Sequence, residues 1–217
     1  MSIAAEIERK ARDNSLEVED LLDTVHAPDA EFGEFLLALA RELDWSEEGI
    51  VDGRRVVPFR RWATVVATYH EQGIPGLISL IRRDEETVPA TFVFGVLKQL
   101  KSIESVRAVL EILGDAANEP GRDLELADMA ATTFNLILSF EGRPDLPQTV
   151  EADVRGFLHA LLELELSEPD QAAAVLALRG VGDETSLELI KKFTFDDAWS
   201  DTVPATRRSI VQRIGGR

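Results

Sequence analysis

Ala172-Ala173-Ala174-Val175-Leu176-Ala177-Leu178-Arg179-Gly180-Val181-Gly182-Asp183-Glu184-Thr185-Ser186-Leu187-Glu188-Leu189-Ile190 is the stretch from which the fold is read. Its first eight residues are rich in alanine and leucine, which favour helix. Gly180-Val181-Gly182-Asp183 then supplies a glycine beyond that helix and an aspartate whose carboxylate accepts from the unpaired amides of the next first turn. Leu187, Leu189 and Ile190 make the second helix apolar on one side. Two helices over 169–179 and 184–193, joined by so short a turn, form a hairpin.

A five-residue word, Thr-Val-Pro-Ala-Thr, occurs at 87–91 and again at 202–206, 115 residues later. Each copy follows a segment rich in Leu and Ile and precedes another helical segment. One third of the separation is close to the ~40 residues per unit of two-helix arrays. The hairpin wording and this spacing resemble HEAT-type helical repeats over residues 58–217. That resemblance implies an α-solenoid whose work is to hold another macromolecule. Its motif is degenerate and specifies a fold rather than an activity.

Helical periodicity dominates the rest of the chain, and alternating β-branched runs are almost absent. Ser15 opens an amphipathic stretch carrying Leu16, Leu21, Leu22 and Val25. Asp29 caps a second with Phe32, Phe35, Leu36, Leu39 and Leu43. Residues 46–57, with the turn dipeptide Asp52-Gly53, read as a connection between an N-terminal helical unit (1–52) and the array (58–217). The expected hairpins are 58–83, broken at Gly73; 89–113, turning at Ser102; an irregular pair over 124–166; and 169–193. A helix over 204–214, with only Ile210, Val211 and Ile214 to bury, closes the stack. The fold class is therefore all-α, a HEAT-like solenoid of antiparallel hairpins with an N-terminal helical unit and a C-terminal capping helix.

Charge narrows the partner. The chain has 217 residues, 45 % of them hydrophobic, and a net charge of −17. Residues 15–49 hold eleven acids against Arg41, a net −10, whereas 53–83 carry six arginines against Glu71, a net +5. The tail from Arg207 has four arginines and no acid. The local sign reversal allows either packing of the acidic unit beside the basic stretch or a split-polarity binding surface. So acidic a molecule repels nucleic acid and anionic membranes and attracts basic proteins. No apolar run approaches the length needed to span a bilayer, and the N-terminus lacks a signal-peptide core. The absence of cysteine removes disulfides and thiol chemistry and suits a cytoplasmic protein.

Motifs for catalysis are sparse. His26, His70 and His159 form no metal-ligand spacing. His70, near a helix end, fits an imidazolium meeting the helix dipole, and His159 a partly buried helix residue. Asp123, Glu125 and Asp128 read as acidic decoration of a helix start. Asp196, Asp197 and Asp201 beside Trp199 are the remaining carboxylate group, with nothing to fix its geometry. Phosphate loops, dinucleotide fingerprints and nucleophile elbows are missing from the sequence, so no cofactor or metal is expected.

Some DNA glycosylases resemble HEAT-like solenoids, and that resemblance would cast Trp62, Trp199 and the arginines of 54–83 as a DNA grip. Against it, the second-helix residues expected to face outward are mixed in sign: Arg82, Arg83, Glu104, Arg107, Glu111, Asp153, Glu188, Lys191 and Lys192. A phosphate-tracking groove is uniformly basic. These nine residues are instead the expected contact surface for a basic protein partner. In physical character the chain also resembles the immunity proteins of bacterial toxin systems, which implies an inhibitor that occludes its toxin. The other form of the same expectation is an adaptor scaffold.

Overall fold

A computed structural model describes residues 2–13, 15–43, 49–51, 54–56, 59–83, 90–138 and 142–216. The chain is built from α-helices and short 3-10 turns, with a single small ribbon among the described residues. It divides into two compact units, Met1–Leu100 (unit 1) and Lys101–Arg217 (unit 2).

Unit 1 begins with α1 (Ile3–Arg12), capped by Ser2, whose Oγ accepts from the Ala5 amide at 3.3 Å. α2 (Val18–Leu22) runs into a 3-10 turn at Asp23–His26. α3 (Ala30–Leu43) starts on the Asp29 carboxylate, which accepts from the amides of Glu31 and Phe32, as the sequence leads one to expect. β1 (Gly49–Val51) and β2 (Arg54–Val56) pair antiparallel. The ribbon falls in the 46–57 stretch read as a plain connection; its Asp52-Gly53 lies outside the described residues. α4 (Phe59–Arg83) is two helical limbs meeting at Gly73, whose φ of 63° is a left-handed value that favours glycine. The break expected at that glycine is present. Pro75 sits just after it, where a missing N–H breaks no helical bond. α5 (Ala90–Leu100) completes the unit.

The acidic N-terminal helices do not form a body of their own. α3 lies along α4 in the most extensive contact of unit 1, and the 3-10 turn and α2 touch both α4 and α5. Leu21, Leu36, Phe59, Leu77 and Leu97 are fully buried, each contributing about 2–3 kcal/mol by transfer out of water. One core thus joins helices from both sides of the expected boundary, and the compact division falls at Leu100/Lys101.

Unit 2 contains α6 (Ile103–Leu113), α7 (Leu124–Leu138), α8 (Gln148–Leu161), α9 (Glu168–Val181), α10 (Glu184–Ile190) and α11 (Thr202–Gly215). α9 packs against α7, α8 and α11, and α6 touches α7 and α8. Phe134 of α7 and Phe157 of α8 meet edge to face at 5.8 Å in a core that also buries Ile137, Leu158, Leu161 and Leu178. Three details differ from the sequence reading. Gly180 lies inside α9 rather than beyond it; a Cβ there would stand 2.9 Å from the Leu138 carbonyl oxygen, so the glycine serves a close helix crossing. The helix instead ends at Gly182. Val211 of α11 is 52 % exposed, and Thr202 and Thr206 are buried in its place. No helix among the described residues is long and apolar enough to cross a membrane.

Candidate functional site

Unit 1 holds a cavity of about 490 Å³ between the start of α1, the 3-10 turn and the start of α3. Ile3, Ala4, Ala27, Phe32 and Phe35 give it an apolar lining, and the acidic residues Asp23, Asp29 and Glu31 also line it. Phe32 and Phe35 come together because they are three residues apart on α3; their ring centroids are 5.9 Å apart. Ile3 is 61 % exposed, an apolar side chain left in water beside this opening.

His70 of α4 forms part of the wall and is itself buried. The Asp29 amide donates to its Nδ1 at 2.9 Å, so that nitrogen carries no proton. Nε2–H then donates to Thr24 Oγ1 at 3.0 Å, and the Thr24 hydroxyl donates onward to the Leu21 carbonyl at 2.6 Å. Burial pushes the imidazole below its ordinary pKa, against the opposing pull of Asp29. His70 is therefore neutral, not the imidazolium expected from its place near a helix end. With both nitrogens engaged, it offers neither a base nor an acid. Its work is positional: it ties the 3-10 turn and the cap of α3 to α4, which fixes where Asp23, Asp29 and Phe32 stand. Its ring also meets Phe32 edge-on at 5.1 Å.

The charges around the cavity are unevenly matched. Lys10 reaches Asp20 at 2.5 Å, and Arg12 reaches Glu8 and Glu42 at 3.0 and 2.8 Å, so the cations of α1 are used at its far end. The carboxylates of Asp23 and Glu31 have no hydrogen bond or ion pair among the described residues. The Asp29 carboxylate is occupied by the α3 amides.

Unit 2 has a second polar cluster. The Asp183 carboxylate caps α10 through the Ser186 amide at 3.0 Å and pairs with Arg155 at 2.9 Å. Burial opposes its ionisation, but the Ser186 amide and Arg155 outweigh burial and hold the carboxyl below its ordinary range. Ser186 Oγ lies 3.2 Å from Asp183 and 2.7 Å from His159 Nε2. A carboxylate only accepts, so the serine proton goes to Asp183 and His159 donates Nε2–H to Oγ. Serine, histidine and aspartate are thus neighbours without the order of a hydrolase triad, in which the carboxylate holds the histidine rather than the serine. Ser186 is fully buried. Glu151, two turns before His159 on α8, pairs with Arg213 of α11 at 3.1 Å, and Arg213 also donates to the Gly182 carbonyl. The cluster fastens α8 to the α9–α10 turn and to α11.

The nine residues expected from sequence to form the contact surface are distributed over both units. Arg82 is exposed on α4; the Arg83 side chain lies outside the described residues. In unit 2, Glu104, Arg107 and Glu111 are exposed on α6, Asp153 on α8, and Glu188, Lys191 and Lys192 at α10. Glu188 pairs with Lys191 and Lys192 with Glu163. Trp62 packs edge-on against Phe92 at 4.9 Å and leans on Gly95, so that ring is spent on internal packing. Asp128 differs from the helix-start decoration expected of it: half-buried and beside Asp170, it is pushed up to about 6 by burial first and by Asp170 second. Among the described residues no group of three or more His, Asp or Glu converges as a metal site.

Sequence reading missed the cavity because α1 was not foreseen as a helix. The signal was present in Ser2-x-x-Ala5 with Ile3, Ile7 and Ala11 at helical spacing. No protein-family model, curated protein or solved structure matches the chain.

Proposed function

We propose that the protein acts by stoichiometric binding of a basic protein partner, in its most specific form as an inhibitor of the immunity type and otherwise as an adaptor scaffold. The observation that carries this reading is the cavity of unit 1: apolar lining, exposed Ile3, and two carboxylates without a partner among the described residues. In water, side chains arranged in this way are available to a ligand rather than committed to the fold. The net charge of −17 works in the same direction by steering cationic proteins toward the surface at long range.

A HEAT-like construction remains part of the proposal. Its support in unit 2 is that α7, α9 and α11, alternate helices in sequence, lie side by side. Stacked two-helix repeats place alternate helices in one layer. The second Thr-Val-Pro-Ala-Thr opens α11, whereas the first three residues of the earlier copy lie outside the described residues. The polar cluster at His159 supports a structural rather than catalytic use of the Ser186 hydroxyl.

Affinity capture from native lysate, nuclease-treated and washed at low and then high salt, tests the reading. One basic protein retained at near-equal stoichiometry, with its activity blocked in the complex, is the expected outcome for an inhibitor. Several sub-stoichiometric proteins would favour a scaffold. Retention of nucleic acid alone would overturn both.

A further inference from the structure

We propose that the unit 1 cavity is the anchor pocket for an apolar side chain adjoining a lysine or arginine in an exposed segment of the basic partner. This rests on the binding reading above and gives it a place and a chemistry. The size is appropriate: about 490 Å³ lies within the roughly 300–1,000 Å³ of pockets that enclose a small group rather than a flat interface. The lining sorts the ligand. Phe32, Phe35 and Ile3 favour a hydrocarbon or aromatic group and offer it no hydrogen bond. His70 adds none, because Asp29 and Thr24 already take both its nitrogens.

The carboxylates then choose the sign. An anion entering beside Asp23, Asp29 and Glu31 meets only repulsion from them, whereas a cation gains two carboxylates, Asp23 and Glu31, that have no partner among the described residues. Asp23 and Glu31 are exposed, so a cation held there stays partly hydrated and avoids the cost of full burial. The same partial exposure makes the preference sensitive to salt. A side-chain ammonium or guanidinium, with donors for two carboxylates, fits better than a bare metal ion, for which no ligand group converges among the described residues.

The test uses three small probes that share a phenylethyl group and differ in charge: 2-phenylethylammonium, 2-phenylethanol and 3-phenylpropionate. Each is titrated into the isotope-labelled full chain at pH 7 and low salt, with amide shifts read by NMR. The expected result is saturable shifts at Ile3, Thr24, Phe32 and Phe35, with the ammonium bound about 10-fold more tightly than the carboxylate and the alcohol between them. The double variant Asp23→Asn, Glu31→Gln brings the ammonium to within about 2-fold of the alcohol and leaves the His70 ring signals unmoved. Ile3→Ser weakens all three probes alike. Shifts centred elsewhere, no saturation by about 10 mM, or equal affinity for ammonium and carboxylate would overturn the assignment. Failure of the binding reading is seen separately, in the capture experiment, which uses no probe.

Discussion

His70 in unit 1 and His159 in unit 2 are both held below their ordinary pKa, in each case first by burial and against a neighbouring aspartate. Both fasten a helix to a turn, but their surroundings differ in charge. Around His159 each carboxylate has a cation or a proton to meet it: Glu151 has Arg213, and Asp183 has Arg155 and Ser186. Around His70 the bonds run to a backbone amide and a threonine, and Asp23 and Glu31, without a partner among the described residues, line a cavity. A polar cluster that is satisfied internally rigidifies the fold. One that leaves charges over an apolar opening has capacity for a ligand. The contrast gives the unit 2 cluster a part in stability, and under the binding function proposed above it gives the unit 1 cavity the part of recognition.

The largest effect should come from breaking the unit 2 network from one side. Glu151→Ala removes the carboxylate paired with Arg213 in a place where both side chains are only 9 % exposed. The expected loss in urea unfolding is about 3 kcal/mol, and pairing it with Arg213→Met should restore most of this. Next, Gly180→Ala forces α9 away from the Leu138 carbonyl, for about 2 kcal/mol.

His70→Ala leaves the Asp29 amide without its acceptor and opens a hole, costing about 2 kcal/mol; the loss should appear in the hydrogen exchange of α3 and the 3-10 turn. The pH dependence follows from the direction of the shift. A histidine with a depressed folded pKa takes up protons more readily when unfolded, so its contribution is complete above about 6.5 and is lost as pH falls through that value. Unit 1 exchange protection should therefore weaken below about pH 6 in the native chain and much less in His70→Ala.

Asp128 has the opposite sign. Its raised pKa makes the ionised form costly in the fold, with the penalty growing as pH rises through about 6. Asp128→Asn should stabilise the chain at pH 7 by on the order of 1 kcal/mol, after allowance for partial exposure, and by little at pH 4. The smallest change, within about 0.5 kcal/mol, is expected for Asp23→Asn with Glu31→Gln, because both are exposed and neither carboxylate has a partner among the described residues.

The helices were legible from local chemistry. Asp29 and Asp183 cap α3 and α10 as their sequence context implies, Ser102, read as a turn, caps α6, and Gly73 breaks α4 where the apolar pattern changes limb. What escaped was set by contacts between distant segments. Gly180 reads as a helix end until Leu138 is found against it. His70 reads as a dipole partner until Thr24 and Asp29, more than forty positions away in sequence, occupy its ring. The cavity depends on three segments converging, and no local pattern encodes convergence. The nine contact residues were chosen by outward position on second helices; that selects solvent exposure, which the described members have, and is blind to concavity.

The most direct measurement compares capture of the proposed basic partner by the native chain and by two charge reversals. Asp23→Lys with Glu31→Lys alters the cavity of unit 1; Glu104→Lys with Asp153→Lys alters the exposed acids of unit 2. Retention at near-equal stoichiometry by the native chain and the unit 2 variant, and loss in the unit 1 variant, is the expected result. Undiminished capture by the unit 1 variant, with loss in the unit 2 variant, would contradict it and move recognition to the outer faces of α6 and α8.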